Sequence, residues 1–209
     1  MIVAFYSNAS YAGKDSCADF AAQWCERHEI PWRRDAFAWR GKVVCADALG
    51  YEGTPEQKVA FIDDLKNHGE VHCPIRAPVA ITVNGDGLYR HPIGCVSGRE
   101  FIIGLLGDPE TGTGVRGIDE GFWTRQVLLA DRPGVVTLLS DARFLEEGEA
   151  LRGTDARIVE VVRDESIRFN EQRWPDEWIH HVIRNDGTLD DLQTKVDNVM
   201  RSVLRATRF

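Results

Sequence analysis

The stretch IVAFYSNASYAGKDSCADF, residues 2–20, decides how this chain folds. It opens with five apolar or aromatic residues that predict a short buried strand, continues through small residues, and reaches Gly13-Lys14. From Lys14 onward, apolar and small residues recur three and four positions apart, which predicts a helix with one buried face. That face comprises Cys17, Phe20, Ala21, Trp24 and Cys25. A strand, a tight loop and a helix that starts at Gly-Lys are the setting of a phosphate-binding loop, or P-loop.

A P-loop binds phosphate through its main-chain N–H groups and a helix N-terminus, while its lysine reaches the β- and γ-phosphates. This chain departs from the pattern G-x-x-x-x-G-K-[ST] at two places. Asn8 replaces the first glycine, and Asp15 occupies the hydroxyl position, so that the hydroxyl comes from Ser16. Asparagine tolerates a positive φ angle better than most residues, so the first change is physically acceptable. The alternative is an ordinary strand–helix turn with Lys14 in solvent.

Composition limits the classes of function. The 209 residues carry a net charge of −8 and a sequence pI of about 5.3, which argues against a general nucleic-acid-binding surface. No apolar run is long enough to span a membrane, and the N-terminus enters a strand without a basic region, so we expect a soluble cytoplasmic protein. The cysteines lack C-x-x-C spacing, and we expect reduced core thiols rather than disulfides or zinc ligands. They are Cys17, Cys25, Cys45, Cys73 and Cys95.

The rest of the chain alternates predicted strands with predicted helices. Strands are expected within 30–40 and at 134–139, 157–162 and 178–184, and helices at 42–49, 54–68, 98–106, 119–130, 144–151 and from 188 onward. A hairpin signal, Asn84-Gly85-Asp86-Gly87, lies within 71–97, and a loop is expected at 107–117. Thr188 and Asp191 form a capping box for the last helix. The alternation predicts parallel βαβ units in a doubly wound, three-layer α/β/α sheet with a small inserted hairpin.

Three polar features follow predicted strands and therefore meet at the sheet edge where such folds bind ligands. They are the loop before Lys14, the run Ser140 to Arg143, and the turn Asn185 to Gly187. Phosphoryl transfer needs a phosphate cradle, a divalent metal, positive charge and an aligned acceptor, and these residue types suit it.

Each candidate residue also has a structural alternative. Asp15 would organise metal-bound water or favour the helix N-terminus, and Ser16 would contact phosphate or fill the helix. Asp141 would bind metal or substrate, or cap the next helix, and Arg143 would bind the acceptor or stay solvated. The polar segment 163–178 would close over the phosphates as a lid, or form a solvated loop. Its arginines are Arg163, Arg168 and Arg173.

Four motifs carry a family resemblance. They are G-K-D-S-C-A-D-F at 13–20, F-W at 122–123, S-D-A-R at 140–143, and N-D-G-T-L at 185–189 before an amphipathic helix. In this order, and across nearly the whole chain, they resemble the deoxynucleoside monophosphate kinases of tailed bacteriophages, within the wider nucleoside monophosphate kinase-like P-loop group. The resemblance implies one P-loop kinase domain over 1–209. Its core would be about 1–30, 98–162 and 179–209, its acceptor-binding region about 31–97 and its lid about 163–178.

The resemblance also implies an activity and a set of site residues. ATP, with Mg²⁺, would phosphorylate a deoxynucleoside monophosphate to its diphosphate in the cytoplasm of the infected host. The catalytic residues would be Lys14, Arg143, Arg163 and Arg168. The ATP contacts would be Asn8, Ser10, Ala12, Gly13, Lys14, Asp15, Ser16, Asn185 and Gly187. The acceptor contacts would be Lys42, Arg99, Arg116, Asp141 and Arg143. Mg²⁺ would contact Asp15 and Ser16 through water.

Two other functions stay open at this point. One is a kinase of another phosphorylated small molecule, such as dephospho-coenzyme A. The other is a nucleotide-binding protein without catalysis, which the departures at Asn8 and Asp15 favour. The sequence leaves open which base the enzyme would accept, whether the sugar must be deoxy, and whether the chain forms a homodimer.

Overall fold

The computed structural model describes residues 1–68, 70–71, 96–97, 104, 114–115, 121–164, 167–168 and 173–206. The chain divides into two compact units. Unit 1 comprises Met1–Arg40 and Glu120–Phe209, and unit 2 comprises Gly41–Asp119. The described strands are β1 (Ile2–Tyr6), β2 (Ala9–Ser10), β3 (Trp32–Asp35), β4 (Glu70–Val71), β5 (Val96–Ser97), β6 (Val136–Ala142), β7 (Arg157–Val162), β8 (Ile167–Arg168) and β9 (His181–Arg184). The described helices of more than one turn are α1 (Lys14–Arg27), α2 (Phe37–Ala48), α3 (Pro55–His68), α4 (Phe122–Leu129), α5 (Leu145–Arg152) and α6 (Leu189–Ala206).

Unit 1 is an α/β fold built on a five-stranded parallel sheet. The strand order is β3-β6-β1-β7-β9, so β1 lies at the centre and the chain crosses over it between β6 and β7. All five residues of β1 are buried, as expected for a parallel strand that is covered on both faces. This confirms the predicted parallel sheet.

Helices cover both faces of the sheet. Val3 and Phe5 point to one face and pack with the buried sides of α1 and α6. Tyr6 points to the other face because side chains alternate along a strand, and there its ring stacks on Trp174 with centroids 4.0 Å apart. The Trp174 indole in turn lies against α5, where Gly148 leaves room for it. The arrangement is compatible with three α/β/α layers.

Several predicted boundaries differ from the structure. The helix expected at 42–49 begins at Phe37, and the strand expected to end at 139 continues to Ala142. Ser140 and Ala142 are both buried, and the strand continues because Ala142 pairs with Tyr6 of β1. The last strand begins at His181, after a 3-10 turn at Asp176–Trp178 that buries Trp178. His180 therefore precedes the strand on which it was predicted.

The end of the predicted lid packs on the sheet. Arg173 forms a bidentate ion pair with the buried Glu160 of β7, with N–O distances of 2.9 and 2.7 Å. The next residue, Trp174, is fully buried, and its main-chain N–H donates to the Tyr6 hydroxyl at 2.9 Å. The chain at 173–178 is thus anchored on unit 1 by the buried side chains of Trp174 and Trp178, although Arg173 itself stays partly exposed.

Unit 2 has its own small apolar cluster. Ile62 of α3 packs with Cys45 and Ala46 of α2, and the rings of Tyr51 and Phe61 stack nearby at 4.3 Å. β4 and β5 pair antiparallel at the two ends of the predicted insertion. The predicted hairpin at Asn84 lies outside the described residues. So do the helix at 98–106 and the loop at 107–117, except for residues 104 and 114–115, which are helical.

Among the described residues, none of the helices combines the length and the apolar character that crossing a bilayer would require.

The contact between α5 and Trp174 generates a stability prediction. A methyl group added at Gly148 would lie 2.8 Å from the Trp174 ring. We therefore expect Gly148→Ala to lower the free energy of unfolding by about 1–3 kcal/mol, measured by urea denaturation. Gly153→Ala is the matched control, since its added methyl would meet only a carbonyl oxygen at 3.5 Å. Equal effects of the two substitutions would contradict the packing described.

Candidate functional site

The loop 7–13 follows the central strand β1 and begins with an ordered turn. Ser7 is buried, and its hydroxyl accepts the N–H of Ala9 at 3.2 Å. Its carbonyl accepts the Lys14 ammonium at 3.3 Å. Lys14 therefore folds back across the concave side of the loop. Because β1 lies where the strand order reverses, the loop lies at the position where open α/β sheets bind ligands.

The other end of the loop is held by Asn185, which follows β9. Its side-chain Nδ2 donates to the carbonyl oxygen of Ala12 at 2.8 Å. Gly13 then adopts φ +99°, a region that L side chains rarely enter, and α1 begins with the Cys17 N–H donating to the Gly13 carbonyl at 2.9 Å. A Cβ at Gly13 would also collide with the Asn185 amide. Only glycine fits this position.

The first half of the loop pairs with the predicted lid. Ala9 and Ser10 form the short strand β2, which pairs antiparallel with β8, so that Ala9 lies opposite Arg168. Between this pairing and the Asn185 contact lies Tyr11, which adopts φ +60° although it is not glycine. The loop is thus held on both sides of a strained residue.

A cavity of about 720 Å³ lies against the loop. A volume of this size is typical of sites for nucleotide-sized ligands. The cavity is lined by the loop and start of α1, the end of β7, the turn after β9 and the start of α6. The lining residues are Ala9 to Ser16, Arg163, Asn185, Gly187, Leu189 and Leu192.

Lys14 is the half-buried cation of this cavity. Burial lowers its pKa below the ordinary value of 10.5, and the positive charge of Arg143 lowers the pKa further. The carboxylates of Asp141, Asp15 and Glu147 act in the opposite direction. Lys14 therefore lies close enough to residues 141–147 to interact with them electrostatically. This agrees with the expectation that Lys14 and the run Ser140 to Arg143 meet at one edge of the sheet.

Asp15 forms an ion pair, and this partner was missed in the sequence. Its carboxylate lies 2.9 Å from a guanidinium nitrogen of Arg34 on β3, and the side chain stays 82% exposed. Arg34 also bonds to Asp19, one turn further along α1, and to the hydroxyl of Ser140 at 3.3 Å. The charge of Asp15 is thus partly neutralised by a neighbouring strand.

Asp141 lies inside β6 and caps a different helix from the one expected. Its two carboxylate oxygens accept the main-chain N–H groups of Phe37 and Ala38, at 2.9 and 2.8 Å, at the start of α2. The next helix, α5, is instead started by the buried Glu147, whose carboxylate accepts the N–H groups of Arg143 and Phe144. Asp141 does cap a helix, as one of its two alternatives predicted. The helix that it caps is α2, which precedes it in the chain, and not the next helix.

The remaining predicted site residues fall in several places. Arg143 has its guanidinium 4.7 Å from the centre of the Phe144 ring. Asn8 lies one residue before the stretch that lines the cavity. In unit 2, Lys42 forms an ion pair with Asp63 at 2.7 Å. For Arg168 the structure describes only the main chain, which belongs to β8. Arg99 and Arg116 lie outside the described residues.

Four cavity residues were not predicted from the sequence. They are Ala9, Tyr11, Leu189 and Leu192. Leu192 belongs to the buried face of α6, and the capping box at Thr188 and Asp191, which the structure confirms, was the signal that placed Leu189 at the helix start. Tyr11 had no signal, because a tyrosine at positive φ looks like any other loop residue in a sequence.

The cavity offers oxygen ligands of the kind that suit Mg²⁺. The Ser16 hydroxyl and the Asp15 carboxylate both line it, and Mg²⁺ is usually bound by one or two such groups together with phosphates and water. Within the part of the chain that the structure describes, no cluster of three or more His, Cys, Asp or Glu side chains is placed to hold a metal alone. The donor set therefore fits a magnesium ion that arrives with a phosphate ligand.

The contact between Gly13 and Asn185 generates a second stability prediction. Gly13→Ala combines a strained φ with a collision, whereas Gly134→Ala at φ +76° meets no atom within 4 Å. We expect Gly134→Ala to cost about 1–2 kcal/mol in urea denaturation, and Gly13→Ala to cost clearly more. Adding Asn185→Ala to Gly13→Ala should restore part of the difference. Strictly additive effects of these two substitutions would argue against the collision.

Compared with known proteins, the chain matches no protein-family model and no curated protein. The family resemblance therefore rests on the four sequence motifs, and the function has to be argued from the site itself.

Proposed function

We propose that this protein is a phosphotransferase that transfers the γ-phosphoryl group of Mg-ATP to a deoxynucleoside monophosphate. The observation that carries the proposal is the cavity at the end of β1, where Gly13 turns the chain and Lys14 is half-buried beside the N-terminus of α1. In this proposal the loop 7–13 is a P-loop within a P-loop NTPase-type fold.

The cavity has the chemistry that a triphosphate requires. A helix N-terminus carries partial positive charge and N–H groups without helical partners, and both favour an anion there. The Lys14 ammonium adds a full charge in a partly desolvated place, where it interacts more strongly with phosphate than in water. The Lys14 ammonium bonds to the Ser7 carbonyl at 3.3 Å, a long and weak bond that a phosphate oxygen can replace.

The proposed reaction needs no strong general base. The acceptor phosphate oxygen is already anionic, so catalysis consists of positioning the two phosphates and neutralising the charge between them. Lys14 would hold the transferring group. Arg163 lines the same cavity, and Arg143 lies near enough to Lys14 to lower its pKa, so we propose that both arginines would neutralise phosphate charge. Arg168 would join them as part of the lid.

Ser16 and Asp15 would hold the magnesium ion, whose charge would offset that of the β- and γ-phosphates. The link between Asp15 and Arg34 makes Asp15 the weaker ligand of the two, so we propose that it acts through water.

The acceptor is proposed from the family resemblance. Its predicted contacts are Lys42, Arg99, Arg116, Asp141 and Arg143. Asp141 would act by holding the start of α2 through Phe37 and Ala38, rather than by touching the acceptor.

One observation favours the second candidate, a nucleotide-binding protein without catalysis. Lys14 is bonded to Ser7, and Asp15 to Arg34, so both charged groups at the loop have protein partners. Such a protein would bind ATP without turnover. A kinase of another phosphorylated small molecule, such as dephospho-coenzyme A, would give turnover with a different acceptor.

The decisive experiment measures ADP release from Mg-ATP with each of the four deoxynucleoside monophosphates. We expect turnover with at least one, and a loss of at least a hundredfold in kcat/KM for Lys14→Met. Arg27→Met is the matched control, because it removes one positive charge at the far end of the same helix, where Arg27 pairs with Asp197. Lys14→Met should not lower the free energy of unfolding, since it removes a desolvated charge.

Three outcomes of this experiment separate the candidates. Turnover that Lys14→Met abolishes and Arg27→Met retains would support the kinase. Binding of ATP without turnover of any acceptor would favour the non-catalytic protein. Turnover with dephospho-coenzyme A alone would show that the protein is a kinase with a different acceptor from the one proposed.

The pKa of Lys14 generates a prediction for pH dependence. Because burial and Arg143 lower this pKa, Lys14 loses its proton at a lower pH than an ordinary lysine, whose value is 10.5. We expect kcat/KM, which reports the free enzyme, to fall on the alkaline side before pH 10.5. Lys14→Arg should remove this alkaline limb from whatever activity it retains, since arginine stays protonated. An unchanged limb in Lys14→Arg would assign the titration to another group.

A further inference from the structure

Tyr11 is an unusual residue for the tip of a loop. It combines φ +60° with a side chain that is 82% exposed, although it is large and aromatic. A positive φ strains a bulky residue relative to glycine, and an exposed ring gains little from burial to offset that strain. Among the described residues of unit 1, no packing contact therefore explains why a tyrosine stands here.

The conformation of Tyr11 is imposed by its neighbours. Before it, Ala9 and Ser10 pair with β8; after it, the Ala12 carbonyl accepts the Asn185 amide. Ala9 and Ala12 are both buried, so the chain on either side is anchored and the ring is presented outward. A strained residue that its surroundings hold in place is an indication of function.

The cavity that Tyr11 lines has a second exposed apolar side chain, Leu189. Tyr11 and Leu189 both line it, and Leu189 is 66% exposed at the start of α6. They are two of the few large apolar side chains that the described residues leave exposed, and both lie at one cavity. Lys14 and Arg163 supply the positive charge of the cavity, whereas Tyr11, Leu189 and Gly187 provide a surface without charge.

We propose that the ring of Tyr11 packs against the nucleobase of the bound nucleotide, with Leu189 as a second apolar contact. This inference rests on the proposed nucleotide-binding function and adds residues that determine how the base is held. Stacking on an aromatic ring tolerates any base, so Tyr11 would add affinity for a nucleotide over a bare polyphosphate without selecting adenine.

Calorimetric titration tests this without requiring turnover. Magnesium tripolyphosphate carries the charge of the triphosphate and lacks the base, so it is the matched ligand for Mg-ATP. We expect Tyr11→Ala to weaken Mg-ATP binding about tenfold or more and to leave tripolyphosphate binding unchanged. Tyr11→Phe should retain wild-type affinity for both ligands. Leu189→Ala should weaken Mg-ATP by a smaller factor, and Leu129→Ala, another exposed leucine on α4, should change neither.

A stability measurement separates a binding role from a structural one. Tyr11→Gly should keep or raise the free energy of unfolding in urea, because glycine adopts φ +60° without strain, and it should still weaken Mg-ATP. A Tyr11→Gly protein that is less stable and binds both ligands less tightly would assign the ring to the fold and overturn the proposal.

The remaining outcomes are also decisive. Wild-type protein that binds Mg-ATP with an affinity that Tyr11→Ala leaves unchanged would overturn the role of Tyr11 while the proposed function stands. Wild-type protein that binds neither ligand would overturn the proposed function, and the role of Tyr11 with it.

Discussion

The burial of β1 on both faces is the constraint on which the rest of unit 1 depends. Its five side chains are almost completely removed from solvent, Phe5 towards α1 and α6 and Tyr6 towards Trp174. A strand of this kind has no freedom to slip, because moving it by one residue would exchange the two faces. The loop that follows therefore starts from a fixed point and direction at the centre of the sheet edge. The loop residues that line the cavity, and Lys14 after them, are positioned from that point.

The loop and helix starts around the cavity are held mainly by hydrogen bonds from side chains to main-chain groups. These hydrogen bonds form within the protein and do not require a ligand. Asn185 holds the loop through a carbonyl oxygen, Glu147 starts α5, and Asp141 starts α2. These polar side chains use their hydrogen bonds to position main-chain groups. Among the residues that line the cavity, three carry charge: Lys14, Asp15 and Arg163. Such pre-organisation suits a reaction in which the protein positions charged groups and supplies no covalent chemistry.

The elements with a clear hydrophobic period could be predicted from the sequence, and the features set by tertiary contacts could not. β1, α1, β7 and the capping box of α6 follow from local patterns and were predicted closely. The continuation of β6 to Ala142 depends on its pairing with β1, where Ala142 lies opposite Tyr6, and no local pattern encodes this pairing. The same holds for the site. Gly13, Lys14 and Asn185 come from motifs, whereas the pairing of Asp15 with Arg34 and the exposure of Tyr11 arise from residues distant in the chain or from backbone strain.

The position of Cys17 has a consequence for chemical modification. Its thiol lies in the first turns of α1, directly below the loop, where it is fully buried and burial raises its pKa to about 12. A thiol in this state reacts with an alkylating agent only after the helix start has opened, so the labelling rate reports the frequency of that local opening. Cys17 is therefore a probe of local unfolding at the start of α1. A ligand that stabilises the loop would slow the labelling of Cys17 without contacting it.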